Sequence, residues 1–293
     1  MELRHLSFSK KNGVFAFITD QIDSGDKVTQ MEVKVVWSLI DLALHSNMKE
    51  DVTPIGCFAG LRSFDENWVV GMDQAADRIW PSPRQCVCVD IKKFEPGVLP
   101  FLGLYLWIMG GLQKAGTSLG ERVLILGAGL FGQLATQFVR LAGATDIMVI
   151  DFRKCRETWA LMNGADYFMT IYEAEENKEK QIKFDLMVDT LGNSELMNEG
   201  LSFLKPGSRA LLLAGTYPLS DFNFYAPTHT RSLALYGGEI PSDYGQTLEF
   251  IKYLLKNRKL RIDKLSVKKI TAPEEYPIEN EEGGGLLIHW NNF

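Results

Sequence analysis

A glycine-rich turn between a buried strand and a helix is the feature that most constrains the fold of this chain. The apolar run at residues 123–126 predicts a buried strand, and the sequence Gly-Ala-Gly-Leu-Phe-Gly follows it at residues 127–132. A helical pattern at residues 131–141 comes next, and a second apolar run, at residues 147–150, ends at Asp151. A bare G-x-G-x-x-G is a weak signal, but this strand, turn, helix and acid-ended strand together are typical of dinucleotide-binding domains.

Each glycine of this turn has a physical reason. Gly127 permits the tight turn, Gly129 lets backbone amides approach a pyrophosphate, and Gly132 lets the helix pack closely on the strand. The positive end of the helix dipole then faces the phosphates. We therefore expect a dinucleotide cofactor to contact every residue of the turn, namely Gly127, Ala128, Gly129, Leu130, Phe131 and Gly132.

Asp151 lies 19 residues beyond Gly132, where an acid can accept hydrogen bonds from the hydroxyls of the adenosine ribose. A carboxylate there would repel the 2′-phosphate of NADP, so the sequence favours NAD. Arg153 and Lys154 follow directly and would attract that phosphate, which leaves NADP open. We expect contacts with the cofactor from Asp151, Phe152 and Arg153.

The pattern around the turn indicates the fold class. Beyond the first two strands, it predicts strands at residues 168–171, 186–189, 211–214 and 233–236, helices at 154–162 and 194–204, and a charged loop at 173–180. Strands that alternate with helices at this spacing predict a parallel sheet covered on both faces. Residues 98–245 are therefore predicted to form an α/β domain with a doubly wound parallel Rossmann sheet.

The remaining residues, 1–97 and 246–293, predict a smaller, mostly-β domain. It is expected to contain short strands at residues 15–18, 32–37 and 286–290 and a helix at 244–255. Within the second of these strands, Val33, Val35 and Trp37 should share one face, because side chains alternate along a strand.

Composition excludes several kinds of partner. The formal net charge of −6 argues against a general affinity for nucleic acid or an anionic membrane, since both require clustered positive charge. The longest apolar run, residues 98–109, is too short to span a membrane. No secretion signal is recognisable at the N-terminus, and the four cysteines are scattered. We expect a cytoplasmic protein whose partner is a small-molecule substrate.

Residues 115–165 closely resemble the medium-chain dehydrogenase/reductases, the zinc-type alcohol dehydrogenase-like superfamily. The run at residues 115–124 is similar to the family's approach to the glycine turn, and Leu-Met-Asn-Gly-Ala-Asp at 161–166 is similar to its segment after the second helix. Residues 189–193 and 204–208 are similar to its later strand and turn. The resemblance implies an oxidoreductase that moves hydride to or from a nicotinamide, with a shortened GroES-like catalytic domain.

The departures from the family pattern concern zinc. Zinc-dependent members carry a Cys just after the first strand and a Gly-His-Glu triplet downstream. Here the first position is Asp41, or a gap beside it, and the triplet reads Gly56-Cys57-Phe58. Two possible ligands without a nearby His make a poor catalytic zinc site, so no metal is expected. This shortened, ligand-free pattern looks most like that of biosynthetic members such as bacteriochlorophyllide dehydrogenase.

The resemblance also implies site residues at the ends of strands. Ser38, Asp41 and His45 follow a strand that in this family ends near the nicotinamide, and Asp41 is the candidate base. A purely structural role for these three residues is equally open. Further cofactor contacts are expected at strand ends that border the adenine and nicotinamide in this family, namely Thr190, Leu191, Gly192, Gly215 and Thr216.

Three functions remain open. The first is a zinc-independent, NAD(P)-dependent oxidoreductase of a small biosynthetic alcohol or carbonyl metabolite. The second is an NADPH-dependent enoyl or quinone reductase, and the third is a cofactor-binding partner protein without turnover. The family commonly pairs its sheets edge to edge through the last strand of the cofactor domain, here residues 233–236, so a homodimer is expected.

Overall fold

The computed structural model describes residues 2–9, 14–21, 31–41, 55–82, 84–176, 182–214, 225–270, 276–277 and 284–290. The chain divides into two compact units. The first unit comprises residues 1–106, 242–253 and 267–293, and the second comprises residues 107–241 and 254–266.

The first unit contains two β-sheets. Their strands are β1 (Glu2–Ser9), β2 (Val14–Gln21), β3 (Val33–Asp41), β4 (Ile55–Arg62), β5 (Trp68–Gln74), β6 (Arg78–Ile79), β7 (Cys86–Cys88), β14 (Val267–Ile270), β15 (Tyr276–Pro277) and β16 (Gly285–His289). One sheet has the order β1-β2-β15, and the other has the order β14-β16-β3-β4-β5-β7, with β6 paired to β3. Apart from the parallel pair β14 and β16, neighbouring strands are antiparallel, which confirms the predicted mostly-β module.

Strand β3 departs from the predicted alternation. Its pairing with β4 shifts by one residue between Val35 and Trp37, so the strand contains a bulge. Val33 and Val35 face the core as predicted, but after the bulge Ile40 takes the core face and Trp37 does not. Trp37 instead stacks on His289 of β16, with ring centroids 4.0 Å apart. The prediction for Trp37 was wrong because one extra residue in a strand reverses the faces of all that follow.

The second unit is built on one six-stranded sheet. Its strands are β8 (Arg122–Leu126), β9 (Asp146–Asp151), β10 (Tyr167–Thr170), β11 (Phe184–Asp189), β12 (Leu204–Leu212) and β13 (Ala234–Gly237). The order is β10-β9-β8-β11-β12-β13, and every neighbouring pair is parallel. From β8 the chain adds strands first on one side and then on the other. The predicted doubly wound parallel sheet is confirmed.

The helices are α1 (Leu99–Lys114), α2 (Leu130–Leu141), α3 (Glu157–Met162), α4 (Ile171–Glu176), α5 (Ser194–Ser202), α6 (Tyr225–Arg231) and α7 (Tyr244–Lys256). The helical segment Pro96–Lys114 has 19 residues and is long and apolar enough to cross a membrane. The prediction that no apolar run has this length was therefore wrong. However, 72% of the segment is buried inside the protein, as expected for a core helix.

Two further elements differ from the prediction. Residues 171–176 form α4, although the sequence predicts a strand up to residue 171 and a charged loop from residue 173, and residues 177–180 of that loop lie outside the described residues. Thr170 and Glu173 explain the helix, because the Thr170 amide donates to Glu173 Oε2 at 2.7 Å and the Glu173 amide donates to Thr170 Oγ1 at 3.2 Å. This reciprocal capping box begins a helix. Strand β12 starts at Leu204, seven residues before the predicted start.

Candidate functional site

The glycine turn joins β8 to α2 at the carboxyl end of the parallel sheet. Leu126, the last residue of β8, pairs with Ile150 of β9 on one side and with Asp189 of β11 on the other. The turn therefore starts between the ends of β9 and β11. Since the chain reverses its direction of strand addition at β8, this is the topological switch point at which α/β sheets bind ligands.

Gly127 and Gly132 are both required by the geometry of the turn. Gly127 has a φ of 99°, in the left-handed region that favours glycine. A Cβ added to Gly127 would lie 2.6 Å from Leu191 Cγ and 2.6 Å from Thr190 Oγ1. A Cβ added to Gly132 would lie only 1.9 Å from the carbonyl oxygen of Gly127. The turn and the close approach of α2 to it thus depend on these two glycines.

Helix α2 begins directly after the turn, with Gly129 as its N-cap residue. Gly129 has extended backbone angles and caps the helix with no side-chain hydrogen bond. The first amides of a helix have no partner within the helix itself, and the helix dipole makes this end positive. A phosphate group suits such an end in both charge and hydrogen bonding. The turn therefore fits the pyrophosphate of a dinucleotide.

Asp151, at the end of β9, is fully buried and heavily engaged by its own chain. Its Oδ2 accepts a hydrogen bond from the Ala128 amide at 2.7 Å, and its Oδ1 accepts one from the Arg153 amide at 2.9 Å. Arg156 Nη1 donates to both carboxylate oxygens, at 3.2 and 3.0 Å. Phe152 and Arg153 are half-buried immediately after the strand. The carboxylate thus ties the second residue of the glycine turn to the end of β9.

Sequence reasoning missed Arg156 and Gln133. The Arg156 side chain is only 4% exposed, because a short 3₁₀ turn at Lys154–Arg156 directs it inward to Asp151. Gln133, fully buried in α2, donates to the Ala128 carbonyl at 3.1 Å and accepts from the Ser266 amide at 2.9 Å. Gln133 could have been recognised from the sequence, because it is a polar residue in an otherwise apolar stretch of the helix.

The end of β11 supports the glycine turn from its other side. The hydroxyl of buried Thr190 donates to the Leu126 carbonyl at 2.8 Å. Leu191 is buried against Gly127, and Gly192 has a φ of 63°. The structure thus brings Thr190, Leu191 and Gly192 to the same end of the sheet as the turn. Gly215 and Thr216, which were predicted to contact the cofactor, lie outside the described residues.

Asp189, which precedes these residues, was not predicted as a site residue. Its carboxylate accepts hydrogen bonds from the Leu191 and Gly192 amides at 3.1 Å. Burial raises the pKa of Asp189 from 3.8 to about 7, although the two amide hydrogen bonds favour the charged form. Burial is the larger effect because the desolvated carboxylate has amides but no cation beside it among the described residues.

In the first unit, the structure separates two of the predicted catalytic residues. Ser38 is buried and its Oγ accepts a hydrogen bond from Trp290 Nε1 at 2.8 Å. Ser38 and Ile40 lie on the core face of β3, and Asp41 lies on the opposite face because side chains alternate along the strand. Ser38 and Asp41 therefore do not point to one site. His45 lies outside the described residues.

Asp41 lies near Cys57 of β4, at the two positions compared above with zinc ligands. Both residues are buried, and burial together with the charge of Asp41 raises the pKa of the Cys57 thiol far above its usual range. A catalytic zinc site needs three protein ligands, and thiol ligands bind as thiolates. In the part of the chain that the structure describes, no three His, Cys, Asp or Glu side chains are grouped to hold a metal. These residues do not fit a zinc ion.

Comparison with known proteins gives a consistent result. Residues 131–252 match the family model described as zinc-binding dehydrogenase. The L-threonine 3-dehydrogenase of Pyrococcus furiosus is 27% identical over 168 residues, which cover 55% of this chain and 48% of that protein. The match thus spans about half the length of this curated relative.

Solved structures share the fold across the whole chain. Alcohol dehydrogenase TADH from Thermus sp. ATN1 aligns with a TM-score of 0.71 and 17% identity, covering 98% of this chain and 99% of that one. Escherichia coli K-12 YHDH with bound NADPH aligns with a TM-score of 0.66 and 18% identity, covering 97% and 99%. The chain is thus similar to zinc-binding dehydrogenases over residues 131–252 and shares the fold of these two solved structures.

Proposed function

We propose that this chain is an NAD(P)-dependent oxidoreductase that transfers hydride between a nicotinamide and a small biosynthetic alcohol or carbonyl metabolite, without zinc. The observation that carries the proposal is the glycine turn at the start of α2, whose helix end has no capping side chain. Support also comes from the dehydrogenase names of similar proteins and from NADPH in one structural neighbour.

The chain's own residues would bind and orient the cofactor. Backbone amides at the start of α2 would bind the pyrophosphate, and the segment of Asp151, Phe152 and Arg153 would adjoin the adenosine ribose, with Phe152 and Arg153 more exposed than the buried Asp151. The bound nicotinamide would accept or donate the hydride. We propose NAD as the preferred cofactor, because the Asp151 carboxylate would repel a 2′-phosphate.

Zinc independence follows from the residues that stand in place of ligands. Asp41 and Cys57 offer only two of the three protein ligands that a catalytic zinc site needs, and no third His, Cys, Asp or Glu is grouped with them among the described residues. Without a metal, another group must take the proton of the substrate hydroxyl or stabilise the developing negative charge. We propose Asp41 for proton transfer rather than Ser38, since the Ser38 hydroxyl is hydrogen-bonded to Trp290 in the core.

An NADPH-dependent enoyl or quinone reductase is the second candidate function. The buried ion pair between Asp151 and Arg156 favours it, because Arg156 offsets the negative charge that a 2′-phosphate would meet. The structural neighbour with bound NADPH supports it as well. A higher affinity for NADH would therefore favour the first candidate, and a higher affinity for NADPH would favour the second.

Cofactor binding can be tested at Gly129, where the extended backbone accepts any residue. Gly129→Asp retains a good helix N-cap but places a negative charge where the pyrophosphate would bind, and Gly129→Asn is the matched neutral control. We expect Gly129→Asp to weaken binding of NADH or NADPH, followed by fluorescence, at least about tenfold more than Gly129→Asn. Because a side chain at position 129 hinders the approach of the pyrophosphate to the backbone amides, both variants should bind more weakly than the unaltered protein. Unweakened binding by Gly129→Asp, or no binding by the unaltered protein, would contradict the proposal.

Catalysis without zinc needs a separate experiment. Turnover of a panel of secondary alcohols, ketones, enones and quinones should survive exhaustive dialysis against a chelator, and metal analysis should find no stoichiometric zinc. Asp41→Asn should abolish turnover and leave cofactor affinity unchanged. If the cofactor binds but no substrate class is turned over, the chain is a non-catalytic cofactor-binding partner protein.

We further propose a homodimer located in the cytoplasm. Strand β13 is the edge of the parallel sheet, and its Leu235 is 38% exposed, so a second copy of β13 would complete the sheet. The cysteines are free thiols, as is usual in a reducing compartment.

A further inference from the structure

The buried carboxylate of Asp189 lies beside the glycine turn, and none of the described residues places a compensating cation next to it. Asp189 is 1% exposed and pairs with Leu126 of β8 and with Leu212 of β12 through its backbone. Its backbone carbonyl accepts the amides of Leu213 and Ala214, at 2.9 and 3.3 Å. The residue is therefore fixed at the junction of three strand ends.

The Asp189 carboxylate determines the shape of the turn that follows it. Its Oδ1 accepts the amides of Leu191 and Gly192, and its Oδ2 accepts the Gly192 amide as well, all at 3.1 Å. These bonds close a tight turn in which Gly192 takes a φ of 63°. The turn is in direct contact with Gly127, since a Cβ on Gly127 would lie 2.6 Å from Leu191 Cγ. A movement of Leu191 would therefore move the first residue of the cofactor turn.

We propose that Asp189 is a positioning residue for the cofactor: its ionised carboxylate holds Leu191 and Gly192 against Gly127, and protonation of Asp189 weakens cofactor binding. This inference rests on the proposed cofactor site. It adds a pH-dependent control of cofactor affinity to that site.

Protonation changes what the Asp189 side chain can accept. An ionised carboxylate only accepts hydrogen bonds, whereas a proton on Oδ2 makes that oxygen a donor, so the Gly192 amide would keep only its bond to Oδ1. The pKa of Asp189 is raised by burial to about 7, so the group changes state near neutral pH. Below that pH the turn loses an acceptor and cofactor affinity falls. Above it the carboxylate is charged and the turn is held, and we expect this ordering to outweigh the repulsion between the carboxylate and the pyrophosphate.

Other groups on the surrounding elements do not account for such a pH dependence. The backbone neighbours from β8 and β12 are Leu126 and Leu212, and the helix that follows starts from Asn193. Among the described residues, burial and the two amides are the causes that act on the pKa of Asp189, and no charged side chain contributes. His229, exposed on α6 of the same unit, serves as the control residue.

The test measures the dissociation constant of NADH between pH 6 and pH 8.5 for the unaltered protein, Asp189→Asn and His229→Gln. NADH is the suitable probe because it lacks the 2′-phosphomonoester of NADPH, whose second pKa lies near 6. A single group with a pKa of about 7 predicts binding about tenfold weaker at pH 6 than at pH 8. His229→Gln should keep this dependence. Asp189→Asn should bind with an affinity that varies less than about twofold, because the amide side chain does not titrate.

Calorimetry of NADH binding in buffers of different ionisation enthalpy provides a second measurement that needs no variant. Binding at pH 6.5 should release a large fraction of one proton, and binding at pH 8.5 should release almost none. A pH-independent affinity in the unaltered protein, or an unchanged pH dependence in Asp189→Asn, would overturn the inference while leaving the cofactor site intact. Failure of the unaltered protein to bind NADH or NADPH at any pH would overturn the proposed function itself.

Discussion

The buried ion pair between Arg156 and Asp151 makes a strong prediction about stability. Arg156→Met removes the guanidinium and keeps a side chain of similar length, so the main loss is the charge beside Asp151. Asp151 is fully buried and Arg156 is only 4% exposed, which means that water cannot replace the lost partner. We therefore expect Arg156→Met to destabilise the second unit substantially.

The magnitude follows from the contacts that remain. Breaking a buried pair by removing one partner costs roughly 3–5 kcal/mol. Asp151 would keep the hydrogen bonds from the Ala128 and Arg153 amides, which offset part of its charge, so we expect the lower end, about 3 kcal/mol. For a protein of 293 residues that corresponds to a fall in melting temperature of roughly 5 °C.

The assay is urea denaturation followed by circular dichroism, with Asp151→Asn and the double variant completing a thermodynamic cycle. Asn at position 151 carries no charge and still accepts one of the amides, so the double variant should be more stable than Arg156→Met alone. Two results would refute this reasoning: a loss below about 1 kcal/mol for Arg156→Met, or a double variant as unstable as the sum of the single variants.

Two further predictions concern the edges of the parallel sheet. Glu173→Ala removes the acceptor of the Thr170 amide at the start of α4 and should lower stability by about 0.5–1 kcal/mol, measured by urea denaturation against Glu173→Gln, which keeps an acceptor. A loss of equal size in both variants would show that the charge, rather than the cap, matters. Leu235→Lys puts a charge on the edge strand β13 and should convert the proposed dimer to a monomer in light scattering, whereas Leu235→Val should remain dimeric. If both variants remain dimeric, β13 is not the interface.

The glycine-turn region was the most predictable part of the fold. Every end of β8, β9 and α2 lies within one residue of its predicted position. The predictions were strands at 123–126 and 147–150 and a helix at 131–141. Local sequence dictates these elements, because glycine is the residue that fits the φ of Gly127 and the closeness of Gly132 to the turn. The parallel sheet followed from the alternation of apolar runs with helical stretches.

Helix α1 was not predicted, for a physical reason. Sequence reasoning finds helices by an apolar stripe that repeats with the helical period, and a helix that is buried on nearly every side has no polar face. Leu102, Leu104, Tyr105, Leu106 and Ile108 are all fully buried, so apolar residues occur without a helical rhythm. Length and hydropathy were the available signals, and they do not separate a core helix from a membrane span.

Side-chain partnerships at the site could be predicted only where backbone geometry alone decides them. The position of Asp151 at the end of β9 followed from spacing. Its pairing with Arg156, rather than with Arg153 or Lys154, depends on the 3₁₀ turn that directs one of these three cations inward. That Ser38 and Asp41 lie on opposite faces follows from the alternation of side chains along a strand. The hydrogen bond from Trp290 to Ser38 could not be predicted, because it joins residues 252 positions apart.

Asp151 and Asp189 show why a sequence pattern alone cannot assign a role to a buried acid. Each is the last residue of an apolar strand and is buried beside the glycine turn. Asp151 is compensated by the Arg156 cation, which lies 3.0 Å from its carboxylate. Asp189 has only backbone amides, so burial brings its pKa to about 7 and its charge depends on conditions. An Arg side chain beside Asp189 would stabilise the charged carboxylate and remove its dependence on pH, but the described residues place no Arg there. The different roles that we propose for the two acids therefore rest on the partner of each carboxylate rather than on its place in the strand.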